Sequence, residues 1–288
     1  MSRIAYVNGQ FLPLEDARVS VLDRGFLFAD GAYEVTCVID GGLVDFEAHI
    51  ARLQRSLKEI GMGMPMDGPA LEQLHREIVK RNGLTEGAVY LQVTRGAAER
   101  DFAFPKNVSQ TVVLFTQARD LVDAPGARSG IKAVSVPDIR WTRRDIKSVA
   151  LLAQVLAKQT AAAAGAGEAV MHEDGTVTEG ASSNLWIVAA DGSLVTRQLS
   201  SAILAGITRR TTMKLADETG IVLHERPFTL KEAYAAREMF LTAATALVMP
   251  IVELDGRPIG NGAPGPVTKR LREIYIETAR AAARQAAK

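Results

Sequence analysis

Hydrophobic positions recur with two different periods along the chain, and the period changes mark its elements. Ile4–Val7 and Gln10–Leu12 flank Asn8-Gly9, a pair that tolerates positive φ and suits a tight hairpin. A second strand pair is expected around Asp40-Gly41-Gly42. The spacing then becomes helical: Ile50, Leu53, Leu57 and Ile60 lie 3, 4 and 3 apart, and Gly61 is a helix stop. Another helix is expected over Leu71–Lys80. Ala88–Thr94 and Thr111–Thr116 are rich in β-formers and read as strands.

Residues 118–130 lose this periodicity and gain Pro and Gly, which places a domain boundary there. The expected division is an N-terminal domain over 1–118, a linker over 119–130 and a C-terminal domain over 131–288. In the latter, strands are expected at Ile131–Val136, Ala169–His172, Asn184–Val188 and Leu194–Val195, with turns at Asp174-Gly175 and Asp191-Gly192. Ser148–Ala164, rich in Ala and Leu, reads as a helix; another opens near Gly206 and closes near Gly220. A mixed-charge helix follows from Val267. Strands and helices mix without strict alternation, so the class is α+β.

Composition narrows the function. A chain of 288 residues accommodates two modest domains, and 47% hydrophobic with 23% charged residues is ordinary for a globular protein. A net charge of +1, from 34 basic and 33 acidic residues, gives no nucleic-acid or membrane footprint. No window approaches the roughly 20 apolar residues of a membrane span, and MSRIAYVNGQ has no signal-peptide run. The single cysteine, Cys37, allows neither an internal disulfide nor a thiolate metal cluster and agrees with a reducing cytoplasm. His49, His75, His172 and His224 are dispersed without metal-ligand spacing, so no metal site is expected. No GxSxG nucleophile motif is present.

Three segments could carry chemistry. In DIRWTRRDIKS (138–148), Lys147 stands between an expected strand and helix; it is either a solvated charge or an amine able to form a Schiff base with a carbonyl cofactor. In VTEGASSN (177–184), Glu179 is either part of a polar loop or a carboxylate aimed at a ring nitrogen, where it would keep the ring protonated and electron-accepting. In ILAGITRR (203–210), Gly206 lets the backbone approach closely while Ile207 and Thr208 open a helix whose free N–H groups suit an anion. Arg52, in HIARL, is either a solvated helix residue or the opposite charge for a phosphate.

Taken together and in this order, FADGAYEV (28–35), HIARL (49–53), VTRG (93–96), DIKS (145–148), VTEGASSN (177–184), GITR (206–209) and the tail from Met239 through LDGRPIGNG resemble the fold-type-IV pyridoxal-phosphate-dependent transaminases over nearly the whole chain. The resemblance implies a small α/β domain, a larger pseudo-barrel domain and a homodimer. It implies that Lys147 links to pyridoxal 5'-phosphate and shuttles the substrate proton, and that Glu179 pairs with the pyridine nitrogen. Arg52, Ile207 and Thr208 would hold the phosphate, Leu204 would pack against the ring, and Ser183 and Ala244 would complete the cofactor set. Ala244 replaces a threonine usual in the family, although Thr242 and Thr245 flank it. Tyr33 and RGAAERDFAFP (95–105) resemble the D-amino-acid aminotransferases, in which an arginine matching Arg100 reaches the α-carboxylate from the neighbouring subunit and a tyrosine matching Tyr33 assists. Two departures bear on substrate: Phe102 where histidine is common, and Cys37 where lysine is common.

The expected activity is ping-pong amino transfer from a D-amino acid such as D-alanine to a 2-oxo acid such as 2-oxoglutarate. Branched-chain L-amino-acid aminotransferase, aminodeoxychorismate lyase and (R)-amine transaminase are alternatives on the same scaffold. A carrier of pyridoxal phosphate without turnover would need no electron sink, so the presence of both Lys147 and Glu179 argues against it.

Overall fold

The computed structural model describes residues 2–286. These group into two compact units. The first contains residues up to Asp120, the segment Ile146–Ala150 and the residues from Ala279 on; the second contains Leu121–Asp145 and Leu151–Thr278. Lys147 and the end of the C-terminal helix therefore group with the N-terminal unit, whereas the boundary expected from the sequence puts them with the C-terminal one.

The first unit has β1 (Ile4–Val7), β2 (Gln10–Pro13), α1 (Arg24–Phe28), β3 (Gly31–Ile39), β4 (Gly42–Leu43), α2 (Phe46–Glu59), α3 (Gly68–Arg81), β5 (Gly87–Thr94) and β6 (Thr111–Ala118). The strands form one antiparallel sheet, ordered β2-β1-β6-β5-β3-β4. Asn8 and Gly9 close the first hairpin with φ 46° and 96°, which a side chain beyond Asn or Gly resists. Alternation then sorts the side chains. Val89, Leu91 and Val93 of β5 face a core that contains Leu53 and Leu57 of α2 and Leu71 and Ile78 of α3. Each such fully buried side chain contributes about 1.5–3 kcal/mol relative to exposure. The opposite face carries an aromatic row, Tyr33 stacked on Tyr90 at 5.6 Å and Tyr90 on Phe115 at 4.8 Å.

The second unit has α4 (Pro125–Ser129), β7 (Ile131–Pro137), α5 (Leu152–Ala163), β8 (Glu168–Glu173), β9 (Thr176–Gly180), β10 (Asn184–Val188), β11 (Leu194–Thr196), α6 (Ile207–Glu218), β12 (Leu223–Glu225), α7 (Leu230–Tyr234), β13 (Glu238–Ala243), β14 (Leu247–Leu254), β15 (Arg257–Pro258) and the part of α8 (Pro266–Ala286) up to Thr278. Its sheet is mixed, ordered β12-β11-β10-β13-β14-β7-β8-β9 with β15 beside β14, and it curls into a half barrel. The whole is α+β.

Two elements differ from expectation. The helix expected from Ser148 begins at Leu152, because the preceding backbone pairs elsewhere: Ser148 bridges Ala32, and Val149 N–H donates to Gly31 C=O at 3.1 Å. The segment expected to be irregular over 118–130 holds the short helix α4, opened by Pro125 in its first turn. No described helix is long and apolar enough to cross a membrane, and no group of His, Cys, Asp and Glu among the described residues could hold a metal ion.

Candidate active site

Lys147 is held by its backbone and free at its tip. Its N–H donates to Ser56 Oγ at 3.1 Å, and its carbonyl accepts from Tyr33 N–H at 3.0 Å. The Tyr33 bond, with the Ser148–Ala32 bridge and the Val149–Gly31 bond, lays residues 147–149 alongside the start of β3, and the Ser56 bond ties them to α2. The ammonium lies 4.0 Å from the Tyr33 ring centroid, and no described carboxylate pairs with it. An amine half-buried over an aromatic face and free of an ion pair is available for covalent chemistry.

Tyr33 and Glu34 point to opposite faces of β3. Glu34 is fully buried and binds Arg52 through two bonds of 2.8 Å, Nε to Oε1 and Nη2 to Oε2; His49 Nδ1–H donates to Oε2, also at 2.8 Å. Burial opposes the charge on Glu34, but Arg52 and then His49 overcome it and hold the carboxyl far below the usual carboxylate range. The fork geometry fixes the direction of the Arg52 guanidinium, a role lysine could not fill. Arg100 stands on an exposed loop, its guanidinium 5.3 Å from the Phe28 ring and 5.5 Å from that of Phe102.

In the second unit Glu179 stands near the end of β9, 4% exposed. One oxygen accepts from Arg140 Nη1. The other accepts from Asn184 Nδ2 at 3.1 Å and from Leu204 N–H at 3.0 Å. Burial raises this carboxyl above its ordinary value, against the pull of Arg140. An ionised carboxylate has about four lone-pair sites, so three donors leave room for one more. Arg140 in turn binds Asp138, which also accepts from Thr178 Oγ1 at 2.6 Å.

Ile207 and Thr208 are the first residues of α6, both buried, and the N-cap Gly206 supplies no capping side chain. A Cβ on Gly206 would lie 1.9 Å from Asn184 Oδ1, so any side chain there would push Asn184 from its place beside Glu179 and Leu204. Twelve helical residues opening on amides without a side-chain cap suit a phosphate dianion. Leu204 precedes this turn, its amide on Glu179 and its carbonyl on Asn184 Nδ2. Ala244 lies in the turn between β13 and β14. Ser183 is buried, and its hydroxyl donates to Glu168 at 2.8 Å; any contact it makes with a cofactor falls to its backbone.

Taken one by one, these groups suit the parts of pyridoxal phosphate: an unpaired amine its aldehyde, a buried carboxylate with a spare lone pair its ring nitrogen, and a capless helix start its phosphate. Sequence reasoning missed Glu34, Arg140 and Asn184. Arg140 stands inside DIRWTRRDIKS, but the three arginines there are indistinguishable by pattern; only burial separates Arg140 from Arg143, whose side chain is 41% exposed.

The family described as amino-transferase class IV matches residues 31–254. A protein of Staphylococcus aureus (strain N315) named D-alanine aminotransferase is 40% identical over 277 residues, covering 95% of this chain and 98% of that protein. Among solved structures, a branched-chain amino acid aminotransferase of Escherichia coli superposes with a TM-score of 0.89 at 26% identity, covering 98% of this chain and 96% of its own. A T.th. branched-chain amino acid aminotransferase with pyridoxamine 5'-phosphate also gives 0.89, at 28% identity, covering 98% and 95%.

Proposed function

The chain belongs to the amino-transferase class IV family, and from that membership we propose how its residues divide the work. It is a pyridoxal-phosphate-dependent aminotransferase that moves the amino group of a D-amino acid to a 2-oxo acid; with D-alanine and 2-oxoglutarate the products are pyruvate and D-glutamate. The observation that carries the D-amino-acid reading is the 40% identity to D-alanine aminotransferase over 95% of the chain. Branched-chain L-amino-acid transfer is the second reading, favoured by the TM-score of 0.89 but at only 26% identity. Incubating the holoenzyme with 2-oxoglutarate and either D- or L-alanine tests this: pyruvate should form from D-alanine at least about tenfold faster, a preference of about 1.4 kcal/mol. Faster reaction of L-alanine or L-leucine would transfer the assignment to the second reading.

When bound, the cofactor supplies a carbonyl that takes up the amino group and a ring that accepts the electron pair left at the substrate α-carbon. The chain supplies the rest. Lys147 anchors the cofactor and moves the proton at the α-carbon. Glu179 holds a proton on the ring nitrogen. The Ile207 and Thr208 amides, the Thr208 hydroxyl and Arg52 would hold the phosphate, Leu204 would pack against the ring, and Ser183 and Ala244 would complete the cofactor set. The donor leaves as a 2-oxo acid before the acceptor binds. A cytoplasmic setting agrees with Cys37, the single cysteine, which is buried and free.

Arg100 binds the substrate α-carboxylate with help from Tyr33, and does so in a second copy of the chain. Its exposed loop, and the exposed Phe26, Phe102 and Phe104, support a homodimer that covers this face. A hydrogen bond between charged groups contributes about 1.5–3 kcal/mol, so Arg100→Ala should lower kcat/KM for D-alanine by on the order of 10- to 150-fold. The loss should be much smaller for a donor without a carboxylate, such as 1-phenylethylamine. Mixing Arg100→Ala with Lys147→Ala protomers should restore activity, because one site of a mixed dimer would hold both native residues. Equal losses for both donors, or no restoration, would remove Arg100 from this role.

A further inference from the structure

Two buried guanidiniums underlie the loop that carries Arg100. The side chains of Arg24, which opens α1, and Arg95, just past β5, are 3% and 9% exposed. Both bind one carboxylate: Arg24 Nε donates to Asp30 Oδ2 at 2.8 Å, Arg95 Nε to Oδ2 at 2.7 Å and Arg95 Nη2 to Oδ1 at 3.0 Å. Burial opposes the charge on Asp30, yet the bonds from Arg95 and Arg24 hold its carboxyl below the ordinary value. Buried ion pairs add little net stability compared with apolar packing, so stability alone is a weak reason for two arginines on one aspartate.

The remaining donors of both arginines explain the arrangement. Arg24 Nη1 donates to the Asp101 carbonyl at 2.6 Å, and its Nη2 lies 3.4 Å from the Phe102 carbonyl. Arg95 stacks 3.6 Å from the Phe104 ring centroid and donates through Nη2 to the Ile60 carbonyl at 2.7 Å. The loop is thus gripped from beneath at the residues that directly follow Arg100. Its base is held separately: Arg24 N–H donates to Gly96 C=O at 2.9 Å, Asp23 bridges Ala97, and Asp23 Oδ2 accepts from Thr94 Oγ1 at 3.0 Å. Without the arginines the base would stay attached, and the tip would keep the packing of Phe102 on Phe28, centroids 5.5 Å apart, but lose its hydrogen bonds from Arg24.

The geometry points to Asp30 as the positioning residue for Arg100: by aligning Arg24 and Arg95 it stiffens residues 100–104, so that Arg100 meets the substrate carboxylate in a preset direction. This rests on Arg100 being the carboxylate anchor. Phe102 gives the loop no second donor, so Arg100 is the loop's one contribution to recognition, and a fixed backbone limits the conformational entropy the loop loses on binding. Asp30 touches neither substrate nor cofactor in this scheme, so its effect is on binding rather than on the proton transfer.

The test is steady-state kinetics of the holoenzyme with D-alanine. Asp30→Asn should raise KM about tenfold, the scale of one charged hydrogen bond, while kcat falls by less than about threefold. Arg95→Lys should act in the same direction with a smaller effect, since lysine keeps the charge but not the fork. In an Arg100→Ala background both substitutions should lose their effect on KM, because residues acting in one chain of contacts are not additive. Additive losses, or a fall in kcat at constant KM, would make Asp30 a merely structural residue and overturn the inference. Should Asp30→Asn not fold, Arg95→Lys decides alone: an unchanged KM overturns the inference equally. Failure of the anchor reading is seen separately, as an unchanged D-alanine KM in Arg100→Ala itself, and takes the inference with it.

Discussion

Replacing Lys147 with alanine should remove turnover by at least about four orders of magnitude and leave the fold intact. The size follows from two losses in one side chain. A positioned acid–base group contributes about 10²–10⁴-fold, and the covalent anchor for the cofactor disappears with it. Retention of the fold follows from the bonding pattern. The Ser56 and Tyr33 partners of Lys147 engage its backbone, and the side chain contributes only a contact with the Tyr33 ring. Alanine keeps both backbone bonds, so circular dichroism should be unchanged and stability should shift by about 1 kcal/mol or less. Borohydride treatment of the wild-type holoenzyme should attach the cofactor to the peptide bearing Lys147. Two other lysines serve as internal controls because their ammonium groups are engaged: Lys132 pairs with Glu253 at 3.1 Å, and Lys158 donates to the Gly167 carbonyl at 2.7 Å. Label on either of them, or substantial turnover by Lys147→Ala, would refute the assignment.

The parts of this architecture that rest on local chemistry were legible in the chain. Asn8-Gly9 forces a hairpin within four residues, and the 3-4-3 spacing of Ile50, Leu53, Leu57 and Ile60 turns one face of α2 inward. β13 and β14 were not singled out, because they are buried on both faces and lose the alternation that marks a strand. The start of α5 is not readable locally either: Ser148 and Val149 have good helical neighbours, but their backbone pairs with β3, more than a hundred positions earlier. The same division holds at the candidate site. Lys147, Glu179 and Thr208 sit in short motifs whose order is readable. Glu34 on Arg52, Arg140 on Glu179 and Asp30 beneath the Arg100 loop are partnerships created by folding, and no local pattern distinguishes Arg140 from the more exposed Arg143 three positions on.

Glu179→Gln should lower kcat by about 10²–10³-fold, the scale of removing one preorganised electrostatic partner, while weakening cofactor binding about tenfold or less. Glutamine keeps the shape of the side chain but cannot supply the charge that keeps a ring nitrogen protonated, so the ring becomes a poorer sink for the α-carbon electrons. Binding suffers less because the phosphate and aldehyde are held by other residues. The substitution also leaves a mismatch: the carboxylate faces Arg140 on one oxygen and Asn184 with the Leu204 amide on the other. Either orientation of the amide sets its NH2 against donors. Removing one member of a buried pair costs about 3–5 kcal/mol, but Asp138 still faces Arg140 at 2.7 Å, which puts the stability loss at the low end. The pH profile gives the sharper check. Glu179 must be ionised to act, and burial raises its carboxyl above the ordinary value. The charge is present above that raised value and lost as pH falls through it, so capture of pyridoxal phosphate by the cofactor-free protein should weaken on the acid side, at a pH above the ordinary glutamate value. The glutamine variant has no such group, so its cofactor binding should lack that acid-side weakening while its kcat stays low. A variant with near-normal kcat, or one whose cofactor binding keeps the same acid-side weakening, would place the ring's counter-charge on another residue.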